Sequence, residues 1–162
     1  MGNGNKTRYE FEPQIIKMSD KIVEIVCGGN HSIIQLLNDE IHGFGRNNYG
    51  QIGSGDTIDV LSPKLLMKDQ KINKIACGFN HTIYLKMNGE LIGNGSNEYG
   101  QVSENQEKVL SPTLIMKDIE IKDIFCGRFH TLILKNNGKL FGMGRNCNGK
   151  IFFSFYPIFN KL

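Results

Sequence analysis

The sequence has no tryptophan, no run of like charges, and no apolar stretch near the roughly 18 residues that a membrane-spanning helix requires. Its opening, Met1-Gly2-Asn3-Gly4-Asn5, lacks the apolar core of a secretory signal. Lys6 stands where N-myristoylation of a Met-Gly start wants Ser or Thr. Only four cysteines occur, and without a signal they read as reduced thiols rather than a disulfide framework. These absences predict a soluble protein of the cytoplasm or nucleus with no membrane partner. The net charge of +3 comes from 19 basic and 16 acidic residues mixed along the chain, which does not point to nucleic acid. With 40% hydrophobic and 22% charged residues the chain is not of the disordered type. Gly43-x-Gly45 is not followed by Gly-Lys-Ser/Thr, so a phosphate-binding P-loop is excluded.

What is abundant is glycine, with 19 residues, and it recurs in register. Cys27-Gly28-Gly29-Asn30-His31 returns as Cys77-Gly78-Phe79-Asn80-His81 and as Cys126-Gly127-Arg128-Phe129-His130, at offsets of 50 and 49. Pro13, Pro63 and Pro112 keep those offsets, as do Gly45, Gly95 and Gly144, then Asn47, Asn97 and Asn146, then Gly50, Gly100 and Gly149. A fixed period of this length means repeated supersecondary units.

Each copy reads as β. Lys71–Cys77 leads into the glycine. Thr82-Ile83-Tyr84-Leu85 and Thr131-Leu132-Ile133-Leu134 follow the histidine as short apolar runs, the composition of buried strands. Asn88-Gly89 and Asn137-Gly138 are hairpin turn signals, expected as type I′ with both residues at positive φ; Asn38-Asp39 is a weaker version. The next strand begins at Ile41, Leu91 or Leu140, and a short strand after each proline completes the unit. Four strands per period of about 50 residues are propeller blades, so the fold class is all-β, a partial β-propeller of about three four-stranded blades. The expected parts are residues 1–12, a remnant of a preceding blade; 13–62, 63–111 and 112–150, the three repeats; and 151–162, a divergent apolar tail. The first residues echo Ile92-Gly93-Asn94-Gly95, with a shortened loop to follow.

Without tryptophan the Trp-Asp propeller repeat is excluded, and the kelch glycine doublet occurs only as Gly28-Gly29. Gly43-Phe44-Gly45-Arg46-Asn47-Asn48-Tyr49-Gly50-Gln51-Ile52-Gly53 resembles the Trp-Gly-x-Asn-x-x-Gly-Gln-Leu-Gly signature of the regulator-of-chromosome-condensation repeat. The upstream Ile-x-x-Ile-x-Cys-Gly-x-x-His-Ser/Thr is similar to that family's motif as well. The resemblance covers roughly residues 13–150. It implies a repeat protein working as a protein–protein interaction module, or, as the alternative, a guanine-nucleotide exchange regulator of a small Ran-like GTPase, often alongside chromatin binding. Exchange in that family uses a complete seven-bladed face and a β-wedge, and the constant spacing leaves no room for a wedge. Departures are Asn94 and Met143 in the aromatic slot, Ser103 for the last glycine, Lys150 for glutamine and Gln35 for leucine, which predict modest stability.

No catalytic, cofactor-binding or metal-ligating residue is assigned, and the binding residues stay unassigned. Each Cys-x-x-x-His pair stands about 50 residues from the next, without the short ligand spacing of a zinc site. A Cys–His nucleophile is needed once, whereas these recur in every copy. The expectation is that Cys packs as a small hydrophobe while His bonds to backbone near the inner edge. His42 is expected at the surface, and Cys147, which replaces Tyr49 and Tyr99, is expected to be incidental. Ile25, Ile75 and Ile124, the three motif cysteines, and Ile33, Ile83 and Leu132 are expected to be buried alike. Three blades leave two bare faces, so either another chain or a second copy completes the propeller, with the Phe-rich tail at the joint, or the array stays open, or the sequence is a piece of a longer propeller.

Overall fold

The structure, a computed structural model, describes residues 2–4, 11–69, 71–103 and 106–149. The tail expected at 151–162 lies outside the described residues. Among the described residues eleven strands form: β1 (Ile22–Cys27), β2 (His31–Leu36), β3 (Glu40–Gly45), β4 (Val60–Lys68), β5 (Ile72–Cys77), β6 (His81–Lys86), β7 (Glu90–Ser96), β8 (Lys108–Lys117), β9 (Ile121–Cys126), β10 (His130–Lys135) and β11 (Leu140–Gly144). They pair as antiparallel meanders in three sheets: β1-β2-β3-β4, β5-β6-β7-β8 and β9-β10-β11. The partial propeller read from the sequence is therefore the fold. Pro63 lies in β4 and Pro112 in β8, so each proline-bearing strand closes the sheet that precedes it. A fourth strand of the third blade would fall beyond residue 149, outside the described residues.

The hairpin turns form at the expected places with a different geometry. Gly89 and Gly138 have φ of 78° and 80°, Asp39 has 68°, and no asparagine among the described residues has positive φ. The amide of Gly89 donates to Lys86 O (3.0 Å), and those of Asp39 and Gly138 repeat this to Leu36 and Lys135. These are three-residue loops in which only the last residue is left-handed, rather than type I′ turns. The asparagine caps instead: Asn88 Oδ1 accepts from Glu90 N at 3.1 Å, as Asn38 does from Glu40 N and Asn137 from Lys139 N.

The hydrophobic core lies between blades. Ile33, Ile41, Ile72, Ile75, Tyr84 and Ile92 fill the first joint. Ala76, Ile83, Leu85, Leu91, Val102, Val109, Ile121, Ile124 and Ile133 fill the second. A residue's burial therefore depends on its neighbour blade as well as on its repeat position. Ile75 is 6% exposed and Ile124 4%, but Ile25 is 57% exposed, since among the described residues no blade packs against that side of β1. Leu132 is half-buried where Ile33 and Ile83 are fully buried, because it faces outward from the third blade. Cys27 is exposed, while Cys77 and Cys126 are half-buried. The uniform burial expected of these sets fails at both ends for that one reason.

Residues 2–4 and 11–18 cover part of the first blade, where Ile16 and Met18 pack on Ile34, Leu36 and Phe44. The amide of Gly4 donates to Leu61 O at 2.9 Å, as Gly55 donates to Leu110 O at 3.0 Å. A Cβ on Gly2 would strike Phe44, and one on Gly53 would strike Asn94, the next blade's residue in the same slot. Gly2-Asn3-Gly4 is thus the counterpart of Gly53-Ser54-Gly55 rather than of Gly93-Asn94-Gly95. Gly4 lies nine residues before Pro13 and Gly55 eight before Pro63, so no shortened loop is needed.

Candidate protein-interaction face

The Cys-Gly-x-x-His motif forms the β1–β2 turn of each blade and its equivalents. The imidazole packs against the motif glycine: a Cβ on Gly28, Gly78 or Gly127 would overlap the ring of His31, His81 or His130. Held there, His31 Nε2 reaches Thr82 Oγ1 of the next blade at 2.9 Å, and His81 Nε2 reaches Thr131 Oγ1 at 3.2 Å. The threonine hydroxyls donate onward to Gln51 O (2.7 Å) and Gln101 O (3.0 Å) of the preceding blade. His31 and His81 therefore bond to a threonine of the neighbouring blade, and His81 also has a backbone hydrogen bond, to His130, of the kind expected. Burial lowers both His31 and His81 from 6.5 to about 4, so each is a neutral imidazole near pH 7.

The thiols complete the joint. Cys77 Sγ donates to Val26 O (3.8 Å) and Cys126 Sγ to Ala76 O (3.5 Å), each crossing to the preceding blade. Burial pushes the Cys77 thiol up to about 12 and raises Cys126 as well. A neutral thiol beside a neutral imidazole already engaged by threonine is poorly set for nucleophilic attack. Among the described residues no group of three or more His, Cys, Asp or Glu could hold a metal ion. His42 is not at the surface: its side chain is 12% exposed, and Nε2 lies 3.0 Å from Glu40 Oε2. Its hydrogen bond is the main cause holding the Glu40 carboxyl below the usual range.

The Asn-x-x-Gly-Gln loop is stapled from within. Asn47 Oδ1 accepts from Ile52 N (3.0 Å), its Nδ2 donates to Asp56 O (2.9 Å), and Gln51 Oε1 accepts from Tyr49 N (2.9 Å). Asn97 and Gln101 repeat the first and last of these contacts on Val102 and Tyr99. Asn94, which departs from the aromatic slot, is buried and donates to Gly50 O (2.8 Å) and Gln51 O (2.9 Å), replacing ring packing by a tie to the preceding blade.

On the end of the propeller that carries these loops, aromatic and basic side chains gather between the second and third blades. Arg128 Cζ lies 4.7 Å from the Phe79 ring centroid and 5.0 Å from that of Phe129. Arg145 Cζ lies 5.2 Å from Tyr99 and 5.6 Å from Phe129. The Tyr99 and Phe129 rings are 5.5 Å apart, and Phe79 and Phe129 6.3 Å. Both arginines are exposed, and among the described residues neither forms an ion pair with a carboxylate. Contact with the rings limits the freedom of each guanidinium, while both arginine side chains stay exposed. Cys147 and Asn148 border this cluster. None of it was singled out in the sequence, since Arg128 and Phe129 fill the two variable positions of the histidine motif. The available signal was that Gly29-Asn30 and Phe79-Asn80 become Arg128-Phe129 in the third copy alone.

These features define a segment of β-propeller built from stacked repeats. Two family models, both described as the regulator of chromosome condensation (RCC1) repeat, match the chain: one over 38–85 and 88–134, the other over 22–51, 72–101 and 121–150. The chain belongs to this repeat family. It is 38% identical over 63 residues to the ultraviolet-B receptor UVR8 of Arabidopsis thaliana, covering 38% of this chain and 14% of that protein. Human WBSCR16 superposes with a TM-score of 0.72 at 22% identity, covering 82% of this chain and 35% of that one. Prp20p of Saccharomyces cerevisiae gives 0.69 at 25% identity, covering 76% and 33%, and its structure was described together with its binding properties to Gsp1p and histones. The chain spans about a third or less of each.

Proposed function

We propose that the chain is a non-enzymatic binding module that takes an acidic segment of a protein partner against Arg128 and Arg145. The observation that carries this reading is the pair of ring-stacked guanidinium groups left without carboxylate partners among the described residues. Rigid strands hold the loops that present them, the usual way a propeller binds. A preorganised guanidinium loses little conformational entropy on accepting a carboxylate, and stacked aromatics supply apolar contact beside it. Anisotropy of a fluorescein-labelled Asp/Glu-rich peptide tests this reading. At low salt the peptide binds, and Arg128→Ala with Arg145→Ala weakens binding by about tenfold or more, as expected for charge-assisted bonds. Equal affinity for the double variant would remove the assignment.

A second reading is guanine-nucleotide exchange on a small Ran-like GTPase. It is supported by the family and by the likeness to Prp20p, described as binding Gsp1p. Release of a fluorescent guanine nucleotide from such a GTPase, accelerated by the chain, is the measurement that would favour it.

A further inference from the structure

We propose that the partner's segment is an extended chain carrying two carboxylates at positions i and i+2, one for Arg128 and one for Arg145. This inference rests on the acidic-partner reading and adds to it the spacing of the charges.

The two guanidinium groups hold equivalent places along one row of rings. Arg128 Cζ lies 4.7 Å from the Phe79 centroid and 5.0 Å from that of Phe129, and those centroids are 6.3 Å apart. Arg145 Cζ lies 5.2 Å from the Tyr99 centroid and 5.6 Å from that of Phe129, and those centroids are 5.5 Å apart. Each guanidinium therefore sits against a pair of rings, and the two pairs share Phe129.

The main chain fixes the row. The amide of Phe79, in the β5–β6 turn, donates to Arg128 O of the β9–β10 turn at 3.2 Å. The amide of Arg145, just after β11, donates to Phe129 O at 2.8 Å. On its other side the Phe79 ring rests against the first blade's turn, where a Cβ on Gly29 would strike it. The segments that carry the two cations are thus bonded to one another, so little order remains to be imposed when a ligand binds.

This period sets the period of the ligand. Residues i and i+2 of an extended chain project from one side about 6.6 Å apart, close to the ring steps of the row. Residues i and i+1 project to opposite sides and cannot both reach the row. Residues i and i+6 share a side but stand roughly 20 Å apart.

Charge elsewhere on the blades is already matched. At the opposite end Lys86 lies 2.8 Å from Asp69, and Lys117 lies 3.4 Å from Glu90. Arg128 and Arg145 have no such carboxylate among the described residues. A carboxylate suits the planar guanidinium, which it can meet through two parallel bonds. Each ring of the row already contacts a guanidinium and a second ring, which leaves little face for a nucleobase to stack on, so a protein segment is favoured over single-stranded nucleic acid.

Three fluorescein-labelled Gly/Ser peptides of equal length test the spacing, each with two Asp, placed at i and i+1, at i and i+2, or at i and i+6. In anisotropy titrations with the full chain at low salt, the i, i+2 peptide should bind about fivefold or more tighter than its isomers. Arg128→Gln or Arg145→Gln alone should abolish that preference. Far-UV circular dichroism and thermal unfolding of both variants should match the parent, since both side chains are exposed. Equal binding of the three isomers would overturn the inference, and would leave the acidic-partner reading standing where the Arg128→Ala, Arg145→Ala double variant weakens all three. Binding of none would overturn both. A labelled thymidine trinucleotide, which carries two phosphates, bound more tightly than the i, i+2 peptide would also overturn the inference and give the row to nucleic acid.

Discussion

His81 Nε2 lies 3.2 Å from Thr131 Oγ1, the counterpart one blade later of His31 and Thr82 at 2.9 Å. Each bond joins residues on different sheets, so it stabilises the stacking of blades rather than any blade by itself. A double-mutant cycle with His81→Ala and Thr131→Val should give a coupling of about 1 kcal/mol in urea unfolding, the usual net worth of a buried neutral hydrogen bond. A coupling near zero would mean that the two groups do not interact in the folded chain.

Gly78 and Gly138 separate two reasons for glycine. A Cβ at Gly78 would overlap the His81 ring, while at Gly138 it would meet nothing within 4 Å, although φ is +80°. Gly78→Ala should cost about 3 kcal/mol or more, because the ring must leave its buried place. Gly138→Ala should cost about 1 kcal/mol, the conformational term alone. Chemical denaturation of both variants checks the order.

Ile75 and Ile25 occupy the same repeat position in different surroundings. Ile75→Ala should destabilise by about 2–4 kcal/mol, as for a closed core site. Ile25→Ala should cost under about 1 kcal/mol in dilute, unassociated protein, since its side chain is largely hydrated already. Equal losses would show that the first blade is covered.

His31 and His81 also set the acid behaviour. Their folded values of about 4 lie below the ordinary 6.5, so the unfolded chain takes up protons first as the pH falls. The stability they contribute is complete above about 6.5 and is lost as the pH falls from 6.5 to about 4. The slope approaches about 1.4 kcal/mol per pH unit for each histidine in that window. Unfolding free energies between pH 7 and 4 check this against the His31→Gln, His81→Gln double variant, whose loss should be shallower.

The period and the blade were legible in the sequence because sterics enforce them. Only glycine fits beneath the histidine ring, and the buried Asn47 and Gln51 that staple the loop permit little substitution. A repeat pattern presumes a neighbour on each side, which is why Ile25, Cys27 and Leu132 were misread. It also averages over variable positions, so Arg128, Phe129 and Arg145, present as a cluster once, carried no periodic signal. The turn type escaped because Asn-Gly suits two loop geometries, and the asparagine's capping bond to Glu90 N selects the longer one here.

The account rests on histidine as a neutral joint between blades, and the imidazole titration of His31 and His81 by nuclear magnetic resonance tests that most directly. The expected result is two histidines that stay neutral down to about pH 4, with both shifts altered by Thr82→Val or Thr131→Val at the matching joint. Titration of both near the ordinary 6.5 would contradict it, placing the rings in water and leaving the blades joined by other means.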